Sequence, residues 1–233
     1  HGMILGENGE KMSKSRGNVI NPDDIVNDFG ADTFRTYEMF IGAFDQATPW
    51  SMQGVKGCYK FLERVWGLQD IIQGGEGYSP ELEGTMHKTI KKVTEDIDRM
   101  KFNTAIAALM SLINEITRLG RITLGEFKTF LILLNPFAPH ITEELWQIIG
   151  GKGTITDGKW AEYDIAKTLD DEIEIVIQIN GKVREKLVIS AEEDTDSVKS
   201  KALENEKIKE FIGSGEVVKV IVIPKKLVNI VIK

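Results

Sequence analysis

Apolar positions along the chain follow two periods, and the change from one to the other divides it. From Ser51 they recur at steps of three and four. Val55, Cys58, Phe61, Leu62, Val65 and Leu68 form one stripe, closed by Gly74-Gly75. Leu82, Met86, Ile90, Val93, Ile97 and Met100 form a second, opened by Ser79-Pro80, and residues 102–119 a third. Further helices are predicted over 124–134 and 139–149, separated by Asn135-Pro136. One-sided stripes need partners, so residues 51–152 are predicted to form an antiparallel helix bundle.

Beyond residue 171 the period becomes two. Ile173, Ile175, Ile177 and Ile179 alternate with Glu174, Val176 and Gln178, and Asn180-Gly181 is a strong hairpin-turn signal. A second strand over 182–189, a helical stretch over 195–211 and a hairpin of 217–223 with 227–232 complete a ββα(α)ββ pattern. The expected fold is therefore mainly α, a helix bundle followed by a small α+β domain over 172–233. Residues 153–171, glycine-rich and aperiodic, read as a linker pinned to a neighbour by Trp160.

Ahead of the bundle, Met3-Ile4-Leu5 reads as a strand entering a turn at Asn8-Gly9. Asn21-Pro22-Asp23-Asp24 is a helix start, Gly30 its left-handed end, and Asp32 or Thr33 the cap of a helix reaching about Phe40. Between them lies Lys11-Met12-Ser13-Lys14-Ser15, flanked by Gly6, Gly9 and Gly17. Lysine is a compact, flexible charge with three donors, and serine hydroxyls and freed backbone amides add more, so the loop suits a polyphosphate. Composition alone reads it more readily as a solvated loop.

Composition narrows the function classes. With 42% hydrophobic and 28% charged residues the chain is an ordinary globular one. No apolar run is long enough to span a membrane. The single cysteine, Cys58, excludes an internal disulfide and a cysteine-rich zinc site, so no bound metal is expected and a reducing cytoplasm fits. A net charge of −7 is unlike a general nucleic-acid binder. Residues 172–233 are neutral, with eleven residues of each sign, so RNA contacts would come from local patches. Lys182, Arg184 and Lys186 alternate along one strand and are expected to share a face, joined by Lys225 and Lys226 of the other hairpin. The alternative is a lysine-protected strand edge. The cations of the bundle (Lys88, Lys91, Lys92, Arg99, Lys101, Arg118, Arg121) read mostly as solvated faces, and His140 and Trp146 as core or helix-end residues.

Lys11 to Ser15, followed by Arg-Gly-Asn-Val-Ile, Pro22 and the run from Gly30 to Arg35, resembles the KMSKS region of class I aminoacyl-tRNA synthetases. The runs 102–106 and 134–146 resemble the helical tRNA-binding bundle of the leucine, isoleucine and valine group. The tail, with Val176 to Arg184 and Ile223 to Val231, resembles the small C-terminal domain of the bacterial leucyl-tRNA synthetases. The resemblance implies that residues 1–50 end a catalytic domain and carry helices that contact the tRNA stem. It implies leucine activation by ATP, accompanied by Mg2+, to leucyl-adenylate and transfer to tRNA(Leu) by a monomeric, cytoplasmic enzyme. Lys14 would be the main pyrophosphate contact and Lys11 the second, with Met12, Ser13 and Ser15 completing the ATP-phosphate loop. Lys182, Arg184, Lys186, Lys225 and Lys226 would meet tRNA. The family's His-x-Gly-His motif, amino-acid pocket and editing domain are not found in the chain, which opens on His1-Gly2. It is expected to be a fragment inactive alone. Valine or isoleucine enzymes, or a non-catalytic tRNA-binding module, are the alternatives.

Overall fold

The computed structural model describes residues 2–168, 172–191, 193–213 and 215–233, arranged as two compact units that divide after residue 168.

In the first unit, strand β1 (Ile4–Leu5) enters the lysine loop. Helix α1 (Pro22–Phe29) follows, with the Asn21 side chain accepting from the Asp23 N–H as an Asx cap and proline at the first position. Gly30 does not adopt the expected left-handed conformation. Its φ of 87° and ψ of 154° swing the chain directly into α2 (Ala31–Phe40). Neither Asp32 nor Thr33 caps α2. Both lie inside its first turn, and Asp32 points elsewhere. β2 (Thr48–Pro49) pairs in parallel with β1, and α3 (Met52–Gly67) starts at a Ser51 side-chain cap.

The bundle continues through α4 (Glu83–Asp98), α5 (Phe102–Leu119), α6 (Leu124–Leu134) and α7 (Pro139–Ile148). Their stripes merge in a buried core that includes Val65, Met86, Ile90, Leu109, Ile113, Phe127, Phe130 and Leu145. Two expectations fail locally. α4 begins at Glu83, after a turn over 80–82 led by Ser79, whose N–H and hydroxyl both donate to Glu126 Oε1, at 2.7 and 2.5 Å. The other Glu126 oxygen closes a capping box with Thr123 at the start of α6. Met100 is not on the apolar face. It stands 59% exposed at a left-handed φ of 55°, while the Lys101 N–H returns to the Asp96 carbonyl.

Residues 153–168 run against the bundle, with Trp160 pinned to it as expected. Ile155 is buried in the bundle core, Trp160 Nε1 donates to Thr94 Oγ1 at 2.9 Å, and Lys167 pairs with Glu83 at 2.6 Å. The further anchors, Ile155 and Lys167, are spaced without period, which is why periodicity did not reveal them. Residues 169–171 of the expected linker lie outside the described residues.

The second unit is a four-stranded sheet of β3 (Glu172–Ile179), β4 (Lys182–Ser190), β5 (Val217–Ile223) and β6 (Leu227–Ile232) in the order β4-β3-β6-β5. The outer pairs are antiparallel hairpins and the central β3–β6 pair is parallel. Asn180 and Gly181 take φ of 48° and 78°, the two positive values that a tight hairpin turn demands. Helices α8 (Thr195–Glu204) and α9 (Glu206–Ile212) cover one face of the sheet, burying Ile175, Ile177, Ile179, Val228 and Ile230 with Val198, Ala202 and Ile208.

Candidate active-site loop and nucleic-acid face

The lysine loop is closed by its own backbone and by one side chain. The Gly6 N–H donates to the Glu10 carbonyl at 2.8 Å, and Gly9 turns with a φ of 74°. Residues Lys14–Arg16 form a single 3₁₀ turn, ended by Gly17 in the left-handed conformation at φ 64°. Asn18 fastens the two arms: its Oδ1 accepts the Ser13 N–H at 2.9 Å and its Nδ2 donates to the Lys11 carbonyl at 3.4 Å. Asn18 carries no charge or hydroxyl that would mark it in the sequence, although it stands directly after Arg16-Gly17.

That frame displays Lys11, Lys14 and Ser15 on the surface. Among the described residues neither Lys11 nor Lys14 has an ion-pair partner. The loop's ion pair is Arg16 with Glu10, 3.0 Å apart and largely exposed, which contributes little. Ser13 and Ser15 share a hydroxyl contact at 3.2 Å. Met12 packs inward against the cluster of Ile25, Tyr37, Trp50, Val55 and Cys58, anchoring the loop's middle. An anchored base under two free ammonium groups can receive an anion without first breaking a salt bridge. Beneath it the Cys58 thiol is pushed up to about 12 by burial, so it is chemically inert in the folded chain. Glu38 lines a cavity of about 320 Å³ with Gly2, Met3, Ile4 and Phe44, and burial pushes its carboxyl above the ordinary range.

The structure does not bring the five tail cations together. The β3–β4 register slips between Ile177 and Gln178: Ile177 faces Glu185 and Gln178 faces Val183, which leaves Arg184 as the extra residue of a bulge. A bulge breaks the alternation on which a shared face depended. Arg184 turns to the helix side, its guanidinium 4.8 Å over the Phe211 ring of α9. Glu185 lies on that side as well, bonded to Lys207 at 2.7 Å, and this hydrogen bond holds its carboxyl below the usual range. Lys186 stands opposite Val176 on the uncovered face and pairs with Glu174 at 2.7 Å, which raises its ammonium above the ordinary lysine range. Lys182 flanks the Asn180-Gly181 turn, beside the end of β6. Lys225 and Lys226 are exposed at the start of β6, a strand length of roughly 17 Å away.

In the bundle several cations are engaged. Lys92 is paired with Asp96, Arg118 with Glu115 at 2.8 Å, and Arg121 with Glu81 at 2.6 Å. His140 caps no ligand site: its Nδ1 meets Asp32 Oδ1 at 2.7 Å, at the start of α7. Trp146 packs partly buried against the bundle core.

Residues 81–200 match the family described as the anticodon-binding domain of tRNA ligase. Residues 1–48 match class I tRNA synthetases of the isoleucine, leucine, methionine and valine type. A leucine–tRNA ligase of Alkaliphilus oremlandii (strain OhILAs) is 56% identical over 233 residues, which is all of this chain and 29% of that protein. The chain thus spans under a third of this relative's length. Among solved structures, the Agrobacterium radiobacter K84 agnB2 LeuRS in its ternary complex with tRNA and LeuAMS superposes with a TM-score of 0.82. It is 28% identical, covering 100% of this chain and 33% of that one. The Mycobacterium tuberculosis methionyl-tRNA synthetase in complex with methionyl-adenylate has a TM-score of 0.50 at 17% identity, over 64% of this chain and 37% of that chain, a likeness of fold alone.

Proposed function

The chain belongs to the family of tRNA-ligase anticodon-binding domains, and from that premise we propose that it is the C-terminal part of a bacterial leucine–tRNA ligase. The observation that carries the reading is the lysine loop. Lys11 and Lys14 stand without ion-pair partners on a turn closed by Asn18, in a chain 56% identical to a leucine–tRNA ligase.

The reaction begins when the leucine carboxylate attacks the α-phosphorus of ATP. The bond to the β-phosphate oxygen breaks, and pyrophosphate leaves with the growing negative charge. An ammonium placed beside that charge stabilises the transition state more than the ground state. At about 4 Å and an effective dielectric near 20, one such contact is worth on the order of 4 kcal/mol before desolvation. Lys14, on the 3₁₀ turn, takes the main pyrophosphate contact and Lys11 the second, with Ser13 and Ser15 donating to phosphate oxygens or shaping the turn. Mg2+ enters with ATP as part of the substrate. Among the described residues no group of three or more His, Cys, Asp or Glu side chains is placed to hold a metal.

Leucyl transfer to tRNA(Leu) then relies on the bundle and the C-terminal domain to hold the RNA, with Lys182, Lys225, Lys226 and the more engaged Arg184 and Lys186 supplying phosphate contacts. Such contacts position the tRNA without reading its sequence. The enzyme works as a cytoplasmic monomer, and the chain alone neither forms adenylate nor edits.

ATP–pyrophosphate exchange tests the reading. The protein that carries this chain should exchange with leucine and not with valine or isoleucine, and the 233-residue chain alone should not exchange at all. Exchange with valine or isoleucine would reassign the amino acid. Exchange by the isolated chain would refute the division of labour.

A further inference from the structure

Two side chains of α2, one turn apart, leave their own segment for the turn that joins α6 to α7. Asp32 is 8% exposed, and its Oδ2 accepts the Ile141 N–H at 2.6 Å while its Oδ1 meets His140 Nδ1 at 2.7 Å. Arg35 Nη2 donates to the Pro136 carbonyl at 3.1 Å. The receiving end lacks its own means of closure. The N-cap residue of α7 is Ala138, with no side chain to accept a hydrogen bond, and Pro139 takes the first helical position. The Ile141 N–H, one of the free backbone donors of that first turn, is therefore met by a carboxylate brought from a residue more than a hundred positions earlier, which also holds the His140 ring.

The other side of α2 is tied to the lysine loop. Tyr37 is 2% exposed, packs edge-on against Trp50 with ring centroids 4.8 Å apart, and its hydroxyl accepts the Ser51 N–H at 2.7 Å. Met12 of the loop packs against the same cluster. α2 is thus a strut with the lysine loop seated on one side and the first turn of a bundle helix capped on the other.

We propose that Asp32 and Arg35 are positioning residues of the ligase reaction. They fix the lysine loop in register with the bundle, so that tRNA held by the bundle is presented to the aminoacyl-adenylate. Forming that adenylate does not itself require them. The inference rests on the ligase reading above, and it adds a place where tRNA-dependent transfer separates from amino-acid activation.

The test uses the full-length protein that carries this chain. In Asp32→Ala, leucine-dependent exchange stays within about two-fold while the KM for tRNA in charging rises about ten-fold, a scale set by small misplacements of reacting groups. Asp32→Asn restores charging, since asparagine caps a helix as well as aspartate does. Arg35 is exposed, so Arg35→Ala keeps the fold; it raises the same KM by a smaller factor and leaves exchange alone. Exchange and charging falling together in Arg35→Ala, charging unchanged in Asp32→Ala, or no rescue by Asp32→Asn would each overturn the inference alone. A parent protein without leucine-dependent exchange would overturn the ligase reading and the inference with it.

Discussion

In the lysine loop Lys11 and Lys14 stand without an ion-pair partner among the described residues, and the loop's shape comes from backbone bonds and the amide of Asn18. In the C-terminal unit several cations of the sheet and its helices are already engaged. Lys186 is held by Glu174, Lys207 by Glu185, Lys201 by Glu193, and Arg184 by the ring of Phe211. The difference teaches how to weigh a basic residue. A cation committed to an acid must break that pair before it meets phosphate, whereas a free one pays only its own desolvation. Sequence shows both as lysines near a turn. Only the shell around each tells a ligand-facing charge from one that holds strands and helices in place.

The sharpest way to break the comparison is Lys14→Ala in the full-length protein. Removing a single transition-state donor lowers rates by about 10² to 10³-fold, and leucine-dependent exchange should fall on that scale with tRNA affinity unchanged. A loss under five-fold would mean that Lys14 is as idle as the paired lysines of the sheet. Next in size is Asn18→Ala. Two hydrogen bonds that close the loop are lost, each worth about 1 kcal/mol, so exchange should drop roughly ten-fold and thermal unfolding should come a few degrees earlier.

What the sequence disclosed follows from the same distinction. A helix with a one-sided stripe was legible almost to the residue, as in Phe102–Leu119, because its period is set by packing on one side, while Leu124–Leu134, buried nearly all round, was bounded by Asn135-Pro136. The hairpin at Asn180-Gly181 was legible because few other residues accept two positive φ values. The bulge at Arg184 was not, since nothing in Lys182-Val183-Arg184-Glu185-Lys186 signals a register slip, and one slipped residue sends Arg184 and Lys186 to opposite faces. In residues 153–168 the Trp160 pin was legible as a lone large aromatic, whereas the burial of Ile155, a single residue outside any period, was not. Of the site, the lysines and serines were visible as donor types, but the roles of Asn18 and Asp32 arise from contacts five and more than a hundred residues away.

Smaller effects are expected in the tail, where they rank the cations by engagement. Lys182→Ala and Lys225→Ala should each weaken tRNA(Leu) binding about three-fold and lower the salt slope by about one, the signature of a lost phosphate contact. Lys186→Ala should do less, because its ammonium already serves Glu174. Filter binding across a salt series reads both quantities. Equal losses at all three positions would show that the pairing in the sheet does not matter to RNA.

The smallest effect separates RNA binding from structure at Arg184. Its guanidinium lies over Phe211 at 4.8 Å from an exposed bulge, so the contact is worth about 0.5–1 kcal/mol. That contact also ties α9 to β4, alongside the Lys207–Glu185 pair. Arg184→Ala should therefore lower the stability of the C-terminal unit by that amount, and Phe211→Ala should leave little further for Arg184→Ala to remove. Stabilities of the two single variants and the double variant, from denaturant unfolding, give the coupling directly. A guanidinium serving the fold makes these losses non-additive while tRNA affinity moves less than it does for Lys182→Ala. Additive stabilities together with a large loss of affinity would put Arg184 beside Lys11 and Lys14, as a charge kept for the ligand.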